Sequence, residues 1–167
     1  THGHPDGFYS AGVYSAIVFE LINENFDMLK ILNMIEEILK NYVDNESILS
    51  CISKIKWVIR EKPGLVNVAL NEELGQGWVG DESLAIAVYC AVTSISFKEV
   101  IEKSTNHSGD SDSTAMLACG LWYLLNRDDS FKKDINHLDI KDCLIYMFPK
   151  INIEDYLINC KKKNKKG

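Results

Sequence analysis

The chain has 167 residues, 46 % of them hydrophobic and 25 % charged, with a net charge of -6. That is enough chain for one domain with a real core, and the composition is that of an ordinary globular protein. The acidic balance excludes a nucleic-acid binder, which needs a basic surface, and no apolar run is as long as a membrane span.

The opening stretch, Thr1 to Gly7, reads as a loop, because it holds two glycines and a proline. A helix is predicted from about Tyr9, where Val13, Ala16, Ile17 and Leu21 recur on one face of a 3.6-residue period. Asp27 is placed to cap a second helix, with Leu32, Ile35 and Leu39 on its apolar side. Asn45 or Ser47 opens a third, carrying Ile48, Ile52 and Ile55, which ends before Pro63-Gly64. Leu65 to Leu74 is ambiguous and fits a short helix stopping at Gly75.

Gly75 to Gly80 is a glycine-rich loop around Trp78, and Asp81 is expected to cap a helix buried on most sides, Leu84 to Val92. Phe97, Val100 and Ile101 mark a short amphipathic helix ending near Ser104. A polar loop, Asn106 to Asp112, then runs straight into an apolar helix, Ser113 to Leu125. Two weaker helices are expected near Lys141 to Phe148 and Ile153 to Cys160. No stretch alternates as a strand does, and no repeat recurs at a fixed period. The reading is one all-α helical domain, a single-domain bundle over residues 1–160, followed by a disordered basic tail over 161–167. Cys51, Cys90, Cys119, Cys143 and Cys160 are widely spaced with no C-x-x-C, which reads as reduced core thiols of an intracellular, cytoplasmic protein.

Chemistry concentrates at Gly109-Asp110-Ser111-Asp112-Ser113-Thr114. Two carboxylates and three hydroxyls open an apolar helix. Hard oxygen donors packed this closely suit magnesium or calcium, while a plain N-cap needs only one such residue. The run also matches the D-x-D-x-T pattern of haloacid-dehalogenase phosphatases, but no apolar strand precedes it. An EF-hand loop would need a third acid, a central glycine and a closing glutamate, which Met116 to Gly120 do not supply. Trp78 among glycines is either a ligand-facing indole or a core tryptophan where a helix begins. His2 and His4 at i and i+2 lack further zinc ligands at a usual spacing and read alone as loop histidines.

Taken together, three segments resemble the ADP-ribosylglycohydrolase family. Thr1-His2-Gly3-His4-Pro5-Asp6-Gly7 is similar to its T-H-x-H-P-x-G segment. Leu74 to Ala87 is similar to L-G-x-G-W-V-x-x-E-x-L-x-I-A, and Asn106 to Thr114 to N-H-x-G-D-S-D-S-T. They come in the family's order and span about residues 1 to 126. The resemblance implies an all-α fold with a two-magnesium centre that cleaves ADP-ribose from protein or a small molecule. It implies Asp110, Asp112 and Ser113 as metal ligands, His2 as a contact to ADP-ribose, and Gly77 and Trp78 as cleft-lining residues. His4 and His107 are expected to shape loops.

The family's second acidic cluster, roughly threonine-aspartate-aspartate, and its water-activating acid lie in its N-terminal half, and nothing in this chain matches them. The chain is therefore expected to be the C-terminal part of a longer hydrolase, inactive alone, or a shortened relative that binds ADP-ribose or a protein partner without cleaving. No catalytic residue is assigned within it. Ala115 stands where the family usually has glycine, which adds a methyl group beside the acidic turn.

Overall fold

Helix α1 (Pro5–Ile22) starts four residues earlier than the periodicity indicates, so the opening loop is shorter than expected. Proline is well placed in a first turn, where its missing N–H has no partner to lose, and the His4 ring accepts from the Asp6 amide at 3.3 Å. The structure is a computed structural model and describes residues 3–128. The expected helices near 141–148 and 153–160, the basic tail, Cys143, Cys160 and His2 lie outside the described residues.

Helix α2 (Met28–Leu39) is capped by Asp27, whose carboxylate accepts from the Lys30 amide at 3.1 Å. In α3 (Glu46–Glu61) the preceding Asn45 makes no side-chain cap. Its amide instead donates to the Leu39 and Tyr42 carbonyls, closing the α2–α3 turn. The ambiguous stretch becomes α4 (Asn67–Leu74), which ends on Gly75 at φ 87°, a backbone setting that favours glycine.

Helix α5 (Gly80–Thr93) corrects one expectation: Asp81 is not its N-cap but lies inside its first turn, after Val79. The cause is close packing. A β-carbon at Gly80 would sit 2.3 Å from the Ser10 hydroxyl, so only glycine lets this turn press on α1. Every residue from Ser83 to Ala91 is buried. A helix buried all round must be ringed by others, and α1, α3, α4, α6 and α7 all pack on it. Tyr89 ties this core to the chain leaving α3. Its hydroxyl donates to the Lys62 carbonyl at 2.6 Å and accepts from the Leu65 amide at 2.7 Å.

Ser96 caps α6 (Phe97–Thr105), and Asp110 caps α7 (Ser111–Asn126). The buried Trp122 indole donates to the Ser94 carbonyl at 2.9 Å, fixing α7 against the end of α5. Among the described residues there are seven helices and no strand, as the all-α reading expects. None of these helices is long and apolar enough to cross a membrane. Cys51, Cys90 and Cys119 are free thiols, and burial pushes the first two up to about 12, so they are inert packing groups.

Candidate metal and substrate site

The acidic turn is held by its neighbours before its own side chains are considered. Gly109 lies flat against the backbone of Gln76, where a β-carbon would come within 1.7 Å of the Gln76 oxygen. That contact lets the Asp110 amide donate to the Gln76 carbonyl at 2.8 Å. One residue on, a β-carbon at Gly77 would meet the Thr114 methyl at 2.9 Å and the Asp110 β-carbon at 3.6 Å. The glycine-rich loop and the acidic turn are therefore packed backbone to backbone. Gly80 continues the chain of contacts to Ser10 and Asp6 on α1.

His107 bolts the turn from behind. Its Nδ1 lies 3.2 Å from the Gly109 amide, which donates to it, so the proton resides on Nε2. That nitrogen donates to the Thr114 hydroxyl at 2.8 Å, and Thr114 Oγ1 lies 3.0 Å from the Ser104 carbonyl and 2.8 Å from the Asp110 carbonyl. Both side chains are buried, and desolvation holds the His107 pKa below the ordinary imidazole value, which keeps the ring neutral. Asn71 on α4 joins in by accepting from the Ser108 amide at 2.9 Å. His107 and His4 thus shape loops, His4 as the cap of α1.

Asp110, Asp112 and Ser113 gather at the first turn of α7. Asp110 accepts from the Ser113 amide at 3.5 Å, which is long for a cap. The Ser113 hydroxyl, helped by the Ser113 amide, holds the Asp110 carboxyl below the usual carboxylate range. The N-terminal end of a helix favours these negative charges. For a cation the same dipole is unfavourable, and the two carboxylates oppose it. Two carboxylates and a hydroxyl form a hard-oxygen set of the kind magnesium takes. These are the residues that would hold such an ion. Among the described residues no group of three or more His, Cys, Asp or Glu side chains is placed to hold a metal.

Trp78 is 67 % exposed, which overturns its reading as a core tryptophan. Its indole donates to the Gln76 side-chain oxygen at 3.1 Å, steadying an aromatic surface on the loop against which the Asp110 turn packs. A separate cavity of about 420 Å³ lies behind this loop, with Ser47, Lys54, Asn71, Asp81 and Glu82 in its wall and none of the acidic-turn residues.

Three residues central to this geometry escaped the sequence reading: Gln76, Asn71 and Glu82. The Glu82 carboxylate accepts from both the Gln76 and Gly77 amides at 3.0 Å. An acid five residues beyond a glycine in a G-x-G loop was the available signal.

No curated protein and no solved structure matches the chain. A protein-family model does: the one described as ADP-ribosylglycohydrolase aligns with residues 1–123, which takes in all three motif segments. The chain belongs to the ADP-ribosylglycohydrolase family, whose members hydrolyse ADP-ribose linkages.

Proposed function

We propose that the protein takes part in magnesium-dependent cleavage of the glycosidic bond of ADP-ribose attached to protein or a small molecule. Asp110, Asp112 and the Ser113 hydroxyl hold the cation. Gly77 and Trp78 line the cleft beside it, and His2 contacts ADP-ribose. The observation that carries this reading is the seating of Gly109 on Gln76, which holds the Asp110 turn against the glycine-rich loop that bears the exposed Trp78.

The chemistry suits these groups. Breaking a bond at the anomeric carbon builds positive charge on the ribose. A bound magnesium ion would orient ribose hydroxyls and make bound water more acidic. Asp110 and Asp112 supply the negative charge, and the main-chain bond to Gln76 fixes where it stands. Trp78 offers a flat apolar face for a base or ribose.

The test is hydrolysis of an ADP-ribosylated peptide by the intact protein, with and without Asp110→Ala, in magnesium and in a chelator. Loss of a ligand carboxylate is expected to lower the rate by at least about a hundredfold, in line with the loss of one preorganised charge-stabilising group. Equal cleavage by both proteins would overturn the assignment. The exposed Trp78 indole, held by Gln76, also suits a second reading, a module that binds ADP-ribose without cutting it. Titration with ADP-ribose separates the two: binding that depends on Trp78, with no product formed by the intact protein, identifies the module.

A further inference from the structure

We propose that Glu82 is a positioning residue for the Asp110 turn, acting through one peptide group of the glycine-rich loop. This rests on the reading of Asp110 as a functional carboxylate. The Gln76 carbonyl and the Gly77 amide belong to the same peptide unit. Its N–H donates to Glu82 at 3.0 Å, and its oxygen accepts from the Asp110 amide at 2.8 Å. A carboxylate at one end polarises the peptide and strengthens the acceptor at the other. Glu82 is thereby joined in a single hydrogen-bonded line to the backbone of Asp110.

The surroundings are built for this. Gly75 and Gly77 have φ values of 87° and 82°, which turn successive amides toward the same side. A β-carbon at Gly75 would fall 2.3 Å from the Glu82 carboxyl carbon, so glycine is needed for the carboxylate to reach across. Ser83, the next residue of α5, donates to the Gly77 carbonyl at 2.6 Å and secures the following peptide. An ordinary first-turn glutamate would reach back to the amide that precedes its own helix. Glu82 reaches past it to two loop amides. The rigid, buried helix α5 is therefore the frame from which the acidic turn is aimed.

The experiment compares Glu82→Ala, Glu82→Gln and the parent protein by amide hydrogen exchange without added metal, and by titration with Mn²⁺. Hydrogen bonds to a charged acceptor are the stronger kind, so Glu82→Ala is expected to speed exchange at Gly77 and Asp110 by about tenfold or more. Amides of Ala87 and Val88 inside α5 serve as the reference and keep their protection. Glu82→Gln retains an oxygen that accepts both amides and is expected to restore most of the protection at Asp110. Mn²⁺ affinity is expected to fall about tenfold in Glu82→Ala and to recover in Glu82→Gln.

Unchanged exchange at Asp110 in Glu82→Ala overturns the inference, even if Asp110→Ala still abolishes Mn²⁺ binding. If Glu82→Ala disrupts α5 itself, Glu82→Gln decides: its weaker, neutral acceptor is expected to leave a small residual acceleration, which supports the relay if it appears at both Gly77 and Asp110 and overturns it if it appears at Gly77 alone or at neither. Absence of Mn²⁺ binding by the parent protein overturns the metal assignment and leaves the exchange measurement to judge Glu82.

Discussion

Thr114 and His107 show how a few atoms fix the acidic turn. The Thr114 hydroxyl lies within 3.0 Å of the Ser104 carbonyl, the Asp110 carbonyl and His107 Nε2. Both residues are buried, and the imidazole can occupy this place only while neutral, because a second proton on Nδ1 would meet the Gly109 amide instead of accepting from it. Burial, the largest cause, lowers the folded-state pKa of His107 beneath the unfolded value of about 6.5. Below that value the unfolded chain therefore binds the proton more readily than the folded one. The contribution of His107 to stability is fully present above pH ~6.5 and is lost as pH falls from there toward the folded-state pKa. Urea unfolding from pH 8 to pH 5 is expected to show a falling midpoint below ~6.5, and His107→Gln to flatten that fall. An equal pH dependence in both proteins would contradict this role. Nothing in the sequence distinguished His107 from an exposed loop histidine, because its partners Thr114, Gly109 and Asn71 lie on both sides of it in the chain.

Among the elements, α6 depends on a buried cation. Lys103 is 8 % exposed, yet its ammonium is fully engaged: it donates to the Thr93 carbonyl at 2.8 Å and pairs with Glu99 at 2.9 Å. Thr93 ends α5, so the lysine meets the negative end of that helix. The lysine hydrogen bond, the largest cause, holds the Glu99 carboxyl below its usual range, helped by the Ile95 amide. Glu99 thus closes the α5–α6 turn from both sides. Lys103→Met keeps the apolar stem and removes only the charge. It is expected to cost about 1–3 kcal/mol, the penalty for stranding the Thr93 carbonyl and Glu99. Lys103→Ala is expected to cost more through the added cavity. Thermal unfolding of both variants tests the ranking, and a Met variant as stable as the parent would deny the ion pair a structural part. The helix pattern itself was legible, since Val100 and its neighbours mark the buried face. The paired lysine was not, because a lysine in the last turn of a helix looks like an ordinary surface residue until the end of α5 is seen above it. The same limit explains α1, whose start was misread because Pro5 and Gly7 suggest a loop until His4 is seen to cap them.

At the scale of the whole described unit, the core and the candidate site are one packed body, and Ile86 is where they join. It is fully buried in the middle of α5, and its δ-carbon lies 3.6 Å from where a β-carbon would stand at Gly77. The floor of the glycine-rich loop is therefore a core side chain. The binary pattern of the sequence made α5 readable as a buried helix, and the motif spacing made the acidic turn readable as a site. Their contact was not readable, because no local pattern relates Ile86 to a glycine nine residues before it. Truncation here is expected to act twice. Ile86→Ala removes three carbons from a close-packed interior and is expected to cost about 2–5 kcal/mol of stability. It also withdraws support from beneath Gly77, so the loop loses its fixed distance to Asp110. Ile86→Val keeps the branch at the β-carbon and is expected to cost about 0.5–1.5 kcal/mol. Denaturant midpoints measure the first effect, and exchange of the Gly77 amide at a denaturant-free baseline measures the second. A control isolates the coupling: Ile52→Ala, equally buried on α3, should lower the midpoint comparably while leaving Gly77 protected relative to the global unfolding limit. Equal loss of Gly77 protection in both variants would show that the loop merely follows overall stability and is not seated on α5.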